Sequence, residues 1–290
     1  MSRQPAIAVS GLTKRYGSHV AVDGVTFDVR EGEAFGILGP NGAGKTTTLE
    51  MIEGLRKPDG GDIAVLGRPV WPEPRAVQQL IGVQLQSTTL FDKLTARELL
   101  DLFARFYGRT HTAERAERAL ELVGLVEKGD AFAEDLSGGQ QQRLAIALAL
   151  VHDPEVVFLD EPTTGLDPQA RRNLWDVIRA INGAGKTVVL TTHYLEEAEE
   201  LCERVAIMDR ARVIALDTPA GLIASLGADA RITYTEEGEE HTIFTPDVQK
   251  AVLELLESAR ARGTTIENLN VRGPSLEDVF LNLTGREFRE

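Results

Sequence analysis

An α/β fold built on a buried, mainly parallel sheet is predicted by three observations. Short runs rich in Val, Ile and Leu recur between residues 34 and 209. Helical stretches lie between them. The runs are apolar on both faces, as strands covered from both sides must be. They are 34–39 (AFGILG), 81–85 (IGVQL), 155–160 (EVVFLD), 187–192 (TVVLTT) and 204–209 (RVAIMD). The helical stretches are 44–55, 96–107, 113–123, 138–151, 168–181 and 194–201. Such an alternation places ligands at the carboxyl ends of the strands.

Two regions depart from this pattern. Between 5 and 30, VAVDGVTFDV alternates apolar with polar residues, as an antiparallel strand with one wet face does. Past about residue 216 a helix and turn lead into two strands of a hairpin, RITYTEEG and EHTIF. A helix over 248–261, a strand over 265–271 and a last helix opening at Pro274 follow. The expected organisation is a main domain over 1–220, with a helical subdomain at about 87–150, and a small α+β domain over 221–290.

Composition narrows the function. The 290 residues carry 31 Lys+Arg against 45 Asp+Glu, a net charge of −14. That balance argues against life on nucleic acid or anionic lipid, which reward basic residues. The longest apolar run, 144–151, falls far short of the roughly 20 residues of a membrane-spanning helix. The start, MSRQPAIAVS, lacks an apolar leader segment, and Cys202 stands alone, which excludes an intrachain disulfide framework. A protein of the reducing cytoplasm is expected.

The first chemical motif follows the first apolar strand and opens a helix. Gly39, Pro40, Asn41, Gly42, Ala43, Gly44, Lys45 and Thr46 fill the pattern G-x-x-x-x-G-K-[ST], and Thr47 continues it. Gly42 and Gly44 let the backbone wrap so that successive N–H groups point at phosphate oxygens, aided by the helix dipole. Lys45 would reach the β- and γ-phosphates, and the Thr46 hydroxyl a Mg²⁺ ion. A look-alike at 183–187 (GAGKT) is rejected, because Ala180 stands where glycine is needed and a strand, not a helix, follows. It reads as a helix end and tight turn.

The second motif is the apolar strand that ends in Asp160 and Glu161. In a P-loop nucleotidase the aspartate at such a place holds Mg²⁺, and Glu161 is placed to orient and deprotonate water. Strand alternation would send the two carboxylates to opposite faces unless the chain turns, which Pro162 suggests. The third is Leu136-Ser137-Gly138-Gly139-Gln140 at the head of a helix. Ser137 can cap that helix, but two consecutive glycines cost helix stability unless something approaches the backbone closely.

With these three motifs in this order, residues 5–216 resemble the nucleotide-binding subunit of ABC transporters. The resemblance implies the P-loop NTPase ABC ATPase fold, ATP and Mg²⁺ as ligands, and two copies of the chain sandwiching two ATP molecules. In that arrangement Ser137, Gly138, Gly139 and Gln140 grip the γ-phosphate held by the other copy. It also implies that Tyr16 stacks on adenine and that Gln86 approaches Mg²⁺. Asp167 would link the two active sites, and His193 would contact the γ-phosphate. The expected catalytic group is Glu161, His193, Lys45 and Gln86, with Thr46, Gln86 and Asp160 at the metal. The tail LEDVFLNLTGRE resembles the daunorubicin-type drug-resistance branch, in which the ATPase pairs with an ABC-2 type permease. The expected protein is thus a peripheral subunit on the inner face of the cell membrane. It would drive multidrug, antibiotic or lipid-like efflux and touch the membrane only through the permease. The alternative is an ABC-type ATPase of translation or DNA maintenance. A single cassette, the absence of a heptad insertion and the acidic charge disfavour it.

Overall fold

Two long strands, β1 (Pro5–Tyr16) and β2 (His19–Arg30), open the chain as an antiparallel pair. A computed structural model describes residues 5–85, 91, 93–225, 227 and 229–284. In β2 the predicted alternation holds: Val25, Phe27 and Val29 are buried while Thr26, Asp28 and Arg30 face out. Next come β3 (Ala34–Leu38), α1 (Lys45–Ile52), β4 (Gly60–Val65), β5 (Arg68–Pro69) and the one-turn α2 (Arg75–Gln78). β4 and β5 join the opening pair in a four-stranded sheet ordered β2-β1-β4-β5. The sequence reading left residues 60–69 unassigned, because GGDIAV has too few apolar residues to show a period.

The rest of the first unit comprises β6 (Ile81–Gln84), α3 (Ala96–Phe106), α4 (Thr112–Leu122), α5 (Gly138–Leu150), β7 (Val156–Asp160) and α6 (Pro168–Gly183). It closes with β8 (Thr187–Thr192), α7 (Leu195–Leu201), β9 (Arg204–Asp209) and β10 (Arg212–Asp217). The second sheet runs β10-β9-β3-β8-β7-β6, and all five predicted strands pair in parallel. Every residue of β3, β7 and β8 is buried, which accounts for their unbroken apolar runs. The antiparallel edge strand β10 was not foreseen.

The two sheets share one core, to which β1 and β2 give Ile7 and Phe27 and the parallel sheet gives Phe35, Phe158 and Met208. α1 adds Leu49, Met51 and Ile52 to the same cluster. Phe27 stacks on Phe35 with ring centres 5.2 Å apart. Arg204 of β9 rivets the edges. Its Nε donates to Glu33 Oε1 at 2.6 Å, and its Nη2 donates to Glu33 Oε2 and to the Asp28 carbonyl of β2, both at 2.9 Å. The helices α3, α4 and α5 pack on one another. α3 begins with a capping box, in which Thr95 and Glu98 each bond the other's backbone N–H.

A second compact unit begins at Thr218. It contains α8 (Pro219–Ser225), β11 (Ala230–Glu236), β12 (Glu239–Thr245), α9 (Val248–Arg262), β13 (Ile266–Arg272) and α10 (Leu276–Thr284). Its three strands form an antiparallel sheet ordered β12-β11-β13. α9 covers one face through a small core of Ile232, Tyr234 and Leu255.

One buried group in the first unit stands out electrostatically. Glu53 caps the C-terminal end of α1 and is 1% exposed. Burial first, then the nearby carboxylates of Asp160 and Glu50, raise its pKa from 4.5 to about 8. Below its unfolded pKa the carboxyl is protonated in both states and costs nothing. As pH rises towards the folded pKa only the unfolded chain ionises, so stability drains away over that window. Glu53→Gln should remove this drain, so the thermal stability of the variant should pull ahead of the parent between about pH 5 and about pH 8. Parallel melting curves against pH would show otherwise.

Candidate active site

Three neighbouring strands of the parallel sheet deliver the candidate residues to one edge. β3 leads into the glycine-rich loop, β7 ends at Asp160 and β8 runs into His193. In the loop, helix α1 starts at Lys45, one residue later than the sequence suggested. Gly44 is its left-handed N-cap at φ +102° and offers no side chain to cap the helix. A Cβ on Gly44 would lie 2.3 Å from the Ala21 carbonyl oxygen, so both conformation and space demand glycine there. Gly42, at φ +79°, has open space around it, and its demand is conformational only. The first backbone N–H groups of α1 are left for a ligand, and the helix dipole favours an anion.

Lys45 is almost fully buried, and its ammonium donates to the carbonyls of Gly39 at 2.8 Å and Pro40 at 3.3 Å. It also pairs with Glu161 Oε1 at 3.2 Å. The other Glu161 oxygen lies 3.1 Å from His193 Nδ1. Glu161 adopts φ +46°, a left-handed conformation that breaks the strand alternation at that residue. The turn expected at Pro162 therefore begins one residue earlier, and it swings the second carboxylate to Lys45 while Asp160 keeps its strand position.

Thr191 of β8 joins the two acids, and the sequence reading missed it. Its hydroxyl donates to Asp160 Oδ1 and accepts the Glu161 backbone N–H at 3.0 Å. The signal was a polar pair, Thr191 and Thr192, closing an apolar strand, and both prove buried. The Thr46 hydroxyl also donates to Asp160 Oδ1, at 3.3 Å. The two carboxylates are driven apart electrostatically. Burial raises the Asp160 pKa, hydrogen bonds from Thr191 and Thr46 oppose it, and Glu161 adds to the rise. Burial pushes Glu161 upwards too, but the Lys45 ammonium and then His193 outweigh it and hold the carboxyl below its ordinary range.

In front of this group opens a cleft of about 390 Å³, lined by the loop, Lys45, Thr46, Thr47, Glu161 and Tyr16. β2 contributes His19 and Ala21, which no motif announced. Tyr16, 42% exposed at the end of β1, presents its ring with Lys14 Nζ 5.8 Å and the Arg56 guanidinium 5.4 Å from the ring centre. The cleft thus brings together an aromatic face, backbone N–H groups, a buried cation and a carboxylate.

The ABC transporter family model matches residues 22–164. A Nod factor export ATP-binding protein I from Burkholderia pseudomallei (strain K96243) is 44% identical over 95% of this chain and 96% of its own. A linearmycin resistance ATP-binding protein from Bacillus subtilis (strain 168) is 38% identical over 98% of this chain and 100% of its own. The chain belongs to the ABC transporter family. An ATP-binding subunit of an ABC transporter superposes with a TM-score of 0.68 at 30% identity, over 77% of this chain and 93% of that one. A bacterial ABC transporter cassette solved as a dimer gives 0.67 at 30% identity, over 73% and 98%. The protein is therefore an ABC ATPase that binds and hydrolyses ATP.

The remaining residues of the ABC ATPase fall into place unevenly. Ser137 caps α5: it accepts the Gln140 N–H, and the Gln140 side chain accepts the Ser137 N–H at 2.9 Å. The Gln140 amide is thus used within its own helix start. Neither residue lines the cleft beside Lys45. Nothing within 4 Å opposes a Cβ on Gly138, and Ala170 alone crowds one on Gly139, at 3.1 Å. Asp167 caps α6, its Oδ1 accepting the Ala170 N–H at 2.9 Å. Gln86 lies outside the described residues. The rejected look-alike ends α6 at Gly183 and turns through Gly185 at φ +86° into β8, as a helix end should.

The two loop glycines make separable predictions. Gly44→Ala should destabilise the fold and abolish binding of a fluorescent ATP analogue, since its Cβ meets a backbone carbonyl. Gly42→Ala should fold but bind at least several-fold more weakly, through its strained turn alone. Equal binding by the two variants would contradict this division.

Proposed function

We propose that this ABC ATPase powers export by closing two copies of itself around two ATP molecules and driving an ABC-2 type permease. The observation that carries the reading is spatial. Lys45, Thr46 and Glu161 line one cleft, with His193 held against Glu161 and Asp160 against Thr46, while the Ser137-Gly138-Gly139 helix start is off that cleft and open. A helix N-terminus with uncrowded glycines suits an anion brought by another molecule, here the γ-phosphate held by a second copy. A related cassette solved as a dimer, also in a post-hydrolysis state with ADP and phosphate, supports it. The names of the relatives, Nod factor export and linearmycin resistance, support efflux of lipid-like or antibiotic molecules.

Chemistry follows from the competition at Lys45. A γ-phosphate attracts the ammonium more strongly than Glu161 does, because it carries more charge. The Glu161 carboxylate, ionised at neutral pH, is then released to orient and deprotonate water, with His193 beside it. Backbone N–H groups of 42–47 and the incoming Ser137 helix stabilise charge on the phosphoryl oxygens. Tyr16 stacks on adenine, and Asp167 holds the turn between the two active sites.

The residues present fit Mg²⁺. Among the described residues no cluster of three or more His, Cys, Asp or Glu forms a protein cage. A hydroxyl and one carboxylate, Thr46 and Asp160, meet at 3.3 Å instead, which suits an ion that keeps water and phosphate ligands. The buried Asp160, its pKa raised beside a second carboxylate, gains from a cation there. When bound, Mg²⁺ neutralises charge on the β- and γ-phosphates.

The described residues hold no helix long and apolar enough to cross a membrane, so force must pass to a partner. Exposed Leu55, Leu85 and Phe106 around a groove beside α3 offer the permease an apolar seat on the cytoplasmic face of the membrane. The unit from 218 onwards is an accessory domain, and nucleic acid is not a partner of this acidic chain. No observation favours the translation or DNA-maintenance reading.

Glu161→Gln should keep ATP binding but lose about a hundredfold or more of turnover in a phosphate-release assay, since an amide cannot take the proton. Near-parental turnover removes Glu161 from the mechanism. Gly138→Asp should block ATP-dependent dimerisation, read by light scattering, with ATP affinity of the monomer little changed. Normal dimerisation of that variant would sink the cross-subunit arrangement.

A further inference from the structure

The groove offered above to the permease is not purely apolar. It encloses about 440 Å³ and is walled by Leu55, Ile81, Val83, Leu85, Phe103 and Phe106. One carboxyl is set in that wall, Glu53. Its side chain is almost fully buried, and Oε1 has no hydrogen-bond partner among the described residues. Gln78, its neighbour on α2, donates to the Glu53 carbonyl rather than to the carboxyl. The charges that bear on it, Asp160 of β7 and Glu50 of α1, are both carboxylates. A buried carboxyl oxygen without a partner costs the fold stability, and none of the described residues offsets it.

We propose that Glu53 selects the docking segment of the membrane partner by pairing with a lysine or arginine on a short amphipathic helix laid into this groove. The inference rests on reading the groove as the permease seat and adds the chemistry that reads the occupant. The exposed aromatic and aliphatic wall accepts the apolar face of a helix, by the usual helix-in-groove geometry. Asp160 and Glu50, the latter paired with Arg56, bear on Glu53 from behind that wall, so a cation that pairs with Glu53 is favoured there and an acidic segment is refused. In the free chain the raised pKa keeps Glu53 largely as the neutral acid. Pairing with the partner's cation ionises it, and the proton leaves to solvent. The occupant is thus a helix with an apolar face and one basic side chain near its middle.

The test uses the full-length chain co-expressed with its membrane partner, captured in detergent through the chain, with the permease retained quantified on a gel. Glu53→Gln keeps the shape and removes the charge, and should lower capture about tenfold or more. Glu53→Lys should abolish capture, and changing one basic residue in a cytoplasmic segment of the partner to Glu should restore it for that variant only. Phe106→Asp, at a side chain 67% exposed, tests the groove itself and should also lose capture. Loss with Phe106→Asp and parental capture with Glu53→Gln would overturn the charge inference while leaving the groove reading intact. Parental capture by both would overturn the two together. Should Glu53→Gln fail to melt cooperatively, alanine at each basic residue of the partner's cytoplasmic segments decides the matter with the parent chain. One such change should lose capture, and parental capture by all of them would overturn the inference.

Discussion

A buried ammonium is the constraint around which the site is organised. Lys45 is out of water and cannot stay charged there without partners. The chain supplies three: two carbonyls of the loop that Lys45 itself terminates, and the Glu161 carboxylate from a strand more than a hundred residues away. Glu161 reaches it only because β7 and β3 are each hydrogen-bonded to β8, and because its own backbone turns left-handed. The pairing lowers the pKa of one acid of the adjacent pair while burial raises that of the other. Loop, strand order, backbone strain and charge state therefore depend on one cation.

The parallel sheet was legible because β3, β7, β8 and β9 are covered on both faces, and complete burial writes an unbroken apolar run. β4, β5 and β10 were not, since edge and half-wet strands such as GGDIAV and RVIALD show neither a run nor a clean period. The phosphate loop was readable in the sequence because its demands fall on consecutive residues. Thr191 and His19 were not, because their importance comes from contacts across 30 residues or across strands rather than from spacing. The Glu161 turn was anticipated in kind but placed one residue late: proline marks where a strand must end, not which residue takes the strain. The cross-subunit assignments of Ser137 and Asp167 came from family likeness, and within one chain both side chains act as helix caps.

The two sheets meet in one core rather than lying side by side, and this makes the cleft a property of both. Tyr16, His19 and Ala21 come from the antiparallel sheet, and the loop and carboxylates from the parallel one. Phe27 on Phe35 and the Arg204 bonds to Glu33 and Asp28 fix their spacing. Ala21 shows how close the tolerance is, since its carbonyl occupies the space a side chain on Gly44 would need. A small shear between the sheets would therefore be felt at the phosphate loop before it was felt at the surface.

The Thr191 hydroxyl carries a consequence of its own. It owns a single proton, given to Asp160, and two lone pairs, one of which accepts the Glu161 N–H. That arrangement has a direction. It suits an Asp160 that is an acceptor and reports any change of that role to the backbone of its neighbour. Were Asp160 to carry a proton on Oδ1, the hydroxyl could accept it on its second lone pair, but its own hydrogen would need a new acceptor. One hydroxyl between the two acids thus ties the side-chain role of Asp160 to the backbone position of Glu161.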